Sequence, residues 1–381
     1  MASIQLWTAL GILVIALVAY DVYATILHAR GRGGPVSESL SRGVWHAARF
    51  FAARLPRPRR HRALNLVGPL LMPGLIAVYL ALLAVGFALV YYPRMPAQFV
   101  VATESDGGSW LLSLYFSGIT LTTVGYGDIM PRTTAMRLTA LSEGASGFAL
   151  ISLAVTYLIT VYGALERKRA VALSFYHQAD EGANVAGFIA HHFVGGRFLG
   201  LETTLRTATR DIQGLLESHV EHPVIHYFHP VEIHKSMPRM VFIILETCAV
   251  IHSCLDEDEY PDTTRHPEVR ALEASARHVL GELVNSLQIE RRPGAPRETP
   301  DEEMGRWSRR YRRTLRQLKR AGLHTRRDEA EGFEVYRASR AEWDSRLKIF
   351  ADFLGYDWDE ITGDRDLRHA ADEEMEIPEK Q

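Results

Sequence analysis

Cysteine is almost absent from this chain of 381 residues. The two it has, Cys248 and Cys254, are spaced neither as a CxxC redox pair nor as part of a four-ligand zinc pattern. They read as ordinary thiols in a reducing compartment. A strand followed by GxGxxG is also missing, and Gly195, Gly196 and Gly200 do not fit that pattern, which excludes a dinucleotide fingerprint. No nucleophile–base pair, paired carboxylates or phosphate loop is visible, which argues against an enzyme. The basic runs lack interleaved aromatic rings for stacking bases, which argues against nucleic acid as a partner. Net charge is only -2, so no overall field selects a partner class.

Long hydrophobic runs are present, all in the first 165 residues, and the rest is densely charged. Ile4 to Leu27 is long enough to cross a bilayer as a helix. A secretory leader is the competing reading, but Met1 to Thr8 carries no Lys or Arg, which favours a retained helix. Leu66 to Tyr92 is a second uncharged run, with Pro69 and Pro73 placed to bend its start and Tyr91 and Tyr92 placed for an interfacial belt. A third runs from Thr134 to Leu165.

The linker between the first two runs holds Arg30, Arg32, Arg42, Arg49, Arg54, Arg57, Arg59, Arg60 and Arg62 against Glu38, and Arg167, Lys168 and Arg169 follow the third run. Both clusters place the same side in the cytoplasm. The reading is a multi-pass protein of the plasma or inner membrane, with its amino terminus outside and its charged half cytoplasmic. Val44, Trp45, Ala48, Phe50, Phe51 and Leu55 alternate with arginines in the linker, which fits either a helix on the inner membrane surface or a plain basic connector.

Between the second and third runs, Trp110 to Leu121 is apolar but too short to span, with Ser109 placed as its N-cap. It reads as a re-entrant half-helix, which membrane depth permits only where protein or water surrounds it. Thr123-Val124-Gly125-Tyr126-Gly127-Asp128 follows. Gly125 and Gly127 give the backbone access to conformations closed to other residues, and successive carbonyls could then face one axis.

Residues 66–165 resemble the potassium channels with two transmembrane helices and one pore loop. The resemblance implies that Thr123, Val124, Gly125, Tyr126 and Gly127 form the selectivity filter, replacing the water of a transported K+ ion with backbone carbonyls. It implies a homotetramer, because each chain carries one filter segment. Val124 and Tyr126 are expected to point away from the axis and brace the filter by packing. The half-helix is expected to aim its negative end at a cation in the cavity. Gly147 matches the family's gating hinge, and close packing through a small residue is the other reading. Glu143, an acid near mid-membrane, is expected to support the filter from behind the half-helix through Thr122 or Thr120, or else to line the pore. Asp128 is the filter aspartate. The half-helix acid that pairs with it in some relatives is replaced here by Ile119, so inactivation is expected to differ. Asp21 reads as an exposed interfacial acid. No helix carries arginine at every third position, which argues against voltage sensing.

The fold class is therefore an all-α membrane protein with three transmembrane helices, a re-entrant pore half-helix and filter, and a mainly helical cytoplasmic domain. The expected segments are an N-terminal transmembrane helix (1–28), a basic linker (29–65), a pore domain (66–165), a helical cytoplasmic domain (166–366) and an acidic tail (367–381). Helical stripes run through Leu201 to Leu216, Val269 to Leu287, Met304 to Leu318 and Phe333 to Leu354, with Gly355 as a C-cap. Met237 to Leu255 reads as a buried helix, since Glu246 and His252 interrupt it as a span. Breaks fall at Asp256 to Pro267 and Arg291 to Pro300.

Two features could take ligands. His219, His222, His226, His229 and His234 form an irregular cluster, with His219, His222 and His226 the weak metal candidates beside the reading of ordinary histidines. Arg306 to Arg320 is a basic face that could meet lipid headgroups or a phosphate ligand, or could be solvated or paired with Asp372, Glu373 and Glu374. The partners implied are other copies of the chain, the lipid bilayer and an unidentified cytoplasmic ligand or protein. A scaffold whose pore part merely tetramerises it is the rival reading.

Overall fold

The computed structural model describes residues 2–28, 33–101, 110–179, 182–287, 289 and 299–364. Ser109, Arg30, Arg32, most of the break at 291–300 and the acidic tail 367–381 lie outside the described residues. The chain divides into two compact units: 1–51 with 63–163 and 220–228, and 52–62 with 164–219 and 229–381. The basic linker is thus shared between them, and a short piece of the charged half belongs to the first.

In the first unit, α1 (Ala2–Val22) ends in a π-helical turn, Tyr23–Leu27. It lies antiparallel to α4 (Val67–Tyr91). Trp7 packs edge-on against Tyr92 at 5.7 Å, and Arg94 donates to Thr8 Oγ1 at 2.8 Å. Further along, Gly11 and Gly86 let the backbones touch: a Cβ on Gly11 would lie 2.5 Å from the Gly86 carbonyl oxygen. Small residues at such a crossing are how membrane helices gain contact without a hydrophobic driving force. Pro69 falls in the first turn of α4, where its missing amide costs no helix bond. Pro73 lies inside the helix.

Asp21 overturns the expectation of an exposed interfacial acid. It is fully buried. Its carboxylate accepts from the amides of Val36 (2.7 Å) and Ser37 (3.0 Å), at the start of α2 (Pro35–Ala52), and from the Tyr79 hydroxyl (2.5 Å). The acid satisfies free amides at a helix N-terminus, where negative charge is favoured. Further along α2, Trp45 is buried against Tyr227, while Phe50 and Phe51 are exposed. After α3 (Arg57–Asn65) and α4 come a one-turn α5 (Met95–Gln98), the half-helix α6 (Trp110–Leu121) and α7 (Thr134–Gln178). Strands β1 (Phe99–Val101) and β2 (Ile129–Pro131) pair antiparallel, Val100 opposite Met130, and tie the two ends of the loop together. Tyr91, Phe99 and Phe116 interlock edge-to-face at 5.1–5.6 Å beneath them.

The second unit takes the last turns of α7, then α8 (Val185–His191) and the hairpin β3 (Phe193–Val194) and β4 (Arg197–Phe198). Next come α9 (Leu201–Glu221), α10 (Met237–Cys254), a one-turn α11 (Pro261–Thr264) and α12 (Pro267–Ser286). They are followed by α13 (Pro300–Arg320), α14 (Glu329–Phe353) and a short α15 (Trp358–Thr362). Its core forms around α10. Among the described residues, four helices are long and apolar enough to cross a membrane, and α10 is one of them. However, 94% of its apolar window is buried within the protein, against 22%, 50% and 33% for the other three. That burial marks α10 as a core helix. The apolar stripes of α9, α12, α13 and α14 face inward, and Ile212, Val279, Leu318 and Leu347 are each fully buried. Gly355 takes φ 83° just past the end of α14. Cys248 and Cys254 are free and buried.

Candidate functional site

The half-helix α6 leads straight into the segment 122–127. Its last carbonyls are claimed by the amides that follow: Gly118 O by Thr122, Thr120 O by Thr123, and Ile119 O by both Val124 (2.9 Å) and Gly125 (3.1 Å). The amides of the segment thus turn back on the helix. Among the described residues, no hydrogen bond ends on a carbonyl of Thr123, Val124, Gly125, Tyr126 or Gly127. Gly125 (φ 54°) and Gly127 (φ 79°) take left-handed conformations, and Thr123 does so as the one non-glycine residue recorded there (φ 60°). Such a conformation costs a non-glycine residue about 1–3 kcal/mol and persists where surroundings impose it.

The bracing expected of Val124 and Tyr126 is not made within one chain. They are 52% and 73% exposed, because a single copy offers nothing on that side to pack against. Asp128 does have a partner. The Tyr115 hydroxyl donates to its Oδ2 at 2.9 Å. Tyr115 lies one helical turn before Ile119, so it shares a face with the position that is acidic in some relatives. That spacing was the available sequence signal.

Glu143 is fully buried and faces α6 and α4. Its donors are not the threonines expected. Ser117 of α6 and Tyr91 of α4 (2.8 Å) donate to its two carboxylate oxygens. Thr122 instead donates to Gly118 O of its own helix. Threonines near the end of α6 have free carbonyls close by, whereas Ser117 lies deeper, at the level of Glu143. Thus three helices meet on one carboxylate.

Gly147 packs against the end of α6. A Cβ there would overlap the Leu121 carbonyl oxygen and lie 2.9 Å from its carbon. The geometry thus supplies the close-packing reading directly, and α7 passes Gly147 without interruption.

The histidines do not form one ligand set, and among the described residues no three His, Cys, Asp or Glu side chains converge as metal ligands. In the first unit, His222 meets the Tyr157 ring at 5.4 Å and His226 is buried. In the second, His219 bonds the Leu215 carbonyl through Nδ1 (2.7 Å), and His234 stacks on Tyr176. His229 is hydrogen-bonded to His61 (2.9 Å), which in turn meets Glu360 at 3.3 Å. Burial, aided by the nearby Lys168 ammonium, pushes His219 down to about 3. Burial and the neighbouring His61 do the same to His229, again to about 3. Neither is charged near neutrality.

Known proteins resemble parts of this chain. A family model described as an ion channel matches residues 75–163. The uncharacterized membrane protein YdjJ of Bacillus subtilis (strain 168) is 26% identical over 262 residues, covering 68% of this chain and 74% of that protein. A match of that length includes residues on both sides of 163. The potassium channel protein kcv of Paramecium bursaria Chlorella virus 1 is 35% identical over 54 residues, 14% of this chain and 57% of that protein. No solved structure matches. Over residues 75–163, where the half-helix, the open carbonyls and the buried carboxylate lie, the chain matches the ion-channel family model and resembles the two-transmembrane-helix potassium channels.

Proposed function

We propose that the chain is one subunit of a homotetrameric, potassium-selective channel that passes K+ passively through a filter of Thr123, Val124, Gly125, Tyr126 and Gly127. The observation that carries this reading is the row of filter carbonyls left without hydrogen-bond partners among the described residues, while the amides of Thr123, Val124 and Gly125 bond back to the half-helix. Four such rows around an axis would replace a potassium ion's hydration shell. Neighbouring copies would cover the exposed Val124 and Tyr126 and supply the packing that one chain lacks. The end of α6 would favour a cation below the filter. The kcv relative, a potassium channel by its name, supports the choice of ion.

The basic flanks support an outside amino terminus, a cytoplasmic second unit and residence in the cell membrane. Asp128 and Glu143 hold the filter from its outer end and from behind, and Thr122 closes the half-helix. Opening bends α7 at Gly147 and so loosens its contact with Leu121. Without an arginine-bearing sensor helix, the signal comes from the cytoplasmic unit and not from voltage.

Purified protein in liposomes tests this. Potassium flux should far exceed sodium flux, barium should block it, and Gly125→Ala should abolish it. An intact tetramer without flux would favour the scaffold reading.

A further inference from the structure

The second unit holds a cavity of about 300 Å3 beside α13. Arg306, Arg309, Arg310 and Arg313 all line it. Their spacing of three, four and seven residues puts them on one face of the helix. Ala183, Asn184, Val185 and Ala186, at the start of α8, also line it. Its volume is at the lower end of ligand sites, roughly 300–1,000 Å3.

Two of the guanidiniums are held in place before anything binds. Arg310 lies over the Phe242 ring at 5.0 Å and donates to Thr362 O and Asp364, both at 2.6 Å. Its buried Nε has no partner among the described residues. Arg306 lies over Trp358 at 5.6 Å and reaches Asp344 at 3.4 Å, with Glu303 at 3.9 Å on the rim. The remaining acid in the lining, Glu246, is already committed to Arg340 and to the Tyr336 hydroxyl. Arg309 is exposed and makes no ion pair among the described residues. The cavity therefore joins fixed planar donors to positive charge that its own acids do not cancel.

We propose that this cavity binds a small phosphorylated anion. Several guanidiniums on one wall suit phosphate oxygens, which accept paired N–H donors from an arginine fork. The phosphate could belong to a soluble compound or to a lipid headgroup, since both present the same oxygens. On the channel reading, its occupancy is the cytoplasmic signal; the binding itself does not depend on that reading.

The test is calorimetric titration of the purified full-length protein with inorganic pyrophosphate, beside its melting temperature in phosphatidylcholine and phosphatidylglycerol nanodiscs. Arg309 is exposed, so the variant Arg309→Ala should fold with an unchanged melting temperature in phosphatidylcholine. Saturable pyrophosphate binding, weakened about tenfold or more in that variant, assigns a soluble phosphate. Stabilisation by phosphatidylglycerol that the variant loses, without pyrophosphate binding, assigns a headgroup. If the wild type responds to neither, or the variant responds as the wild type does, the proposal fails. None of these measurements uses ion flux, so a failed channel reading would leave them legible.

Discussion

Both units bury acids, and they do so in opposite ways. In the first, Asp21 and Glu143 are held by neutral donors: two amides and a tyrosine for one, a serine and a tyrosine for the other. In the second, Glu246 and Asp344 are held by the fully buried Arg340, and the half-buried Asp364 by Arg310. A guanidinium at bilayer depth is costly, while hydroxyls and helix-end amides bring partial positive charge without that desolvation. On the proposed topology the second unit folds in water, where the cation can be buried as well, provided the pair is well hydrogen-bonded. The difference teaches that removing a partner should cost more in the second unit than in the first.

The largest effect should come from Arg340→Ala. It leaves Glu246 buried without its cation and Asp344 with only Arg306 at 3.4 Å, at a cost of about 3–5 kcal/mol, read by denaturant unfolding. A cost below about 1 kcal/mol would break the contrast, because a buried ion left alone should not be that cheap.

Acid should come next, again in the second unit. His219 and His229 are held down to about 3, from 6.5. Between those values the unfolded chain takes up protons that the folded chain refuses, so stability is full above 6.5 and falls as pH drops toward 3. Each histidine contributes a loss of about 1.4 kcal/mol by pH 5.5, roughly 3 kcal/mol for the pair. Melting curves from pH 7.5 to 5.5 should show it, and His229→Asn should reduce the slope.

Glu143→Gln should have a smaller effect. The amide still accepts one of the two hydroxyl bonds, so the loss is about 1–2 kcal/mol. Single-channel recording should show unchanged potassium preference and an altered open lifetime. A large loss of preference would mean that Glu143 acts in the permeation path. Smallest is Tyr115→Phe, which frees Asp128 from one hydrogen bond worth about 0.5–1.5 kcal/mol. Currents should decay faster with the same ion preference; unchanged decay would remove Asp128 from inactivation.

The same contrast explains what could be read in the sequence. The proposed filter could be named from the sequence because five consecutive residues carry it, and the helices of the second unit were legible because apolar positions repeat with helical period. Glu143 was legible as a buried acid, but its donors were not. Tyr91 comes from a helix 52 residues away, and no spacing rule joins the two. Asp21 was misread because its position near a helix end suggested exposure, while the α2 amides that meet it lie 15 and 16 residues further along the chain. The Arg340–Glu246 pair was invisible for a related reason: each charge interrupts an apolar stripe, and only the packing of α14 on α10 cancels both. The histidines misled in the other direction, since closeness along the chain did not become closeness in space.

Asp21 has one more consequence. A shortened protein that begins at the outer helix, keeping the filter and both flanking spans, would look like a minimal pore. It would also strip Tyr79 of its acceptor within the apolar core and leave Val36 and Ser37 of any retained linker uncapped. The first helix is thus a keystone for the membrane unit, and truncation to the shortest ion-conducting fragment should stop short of removing it.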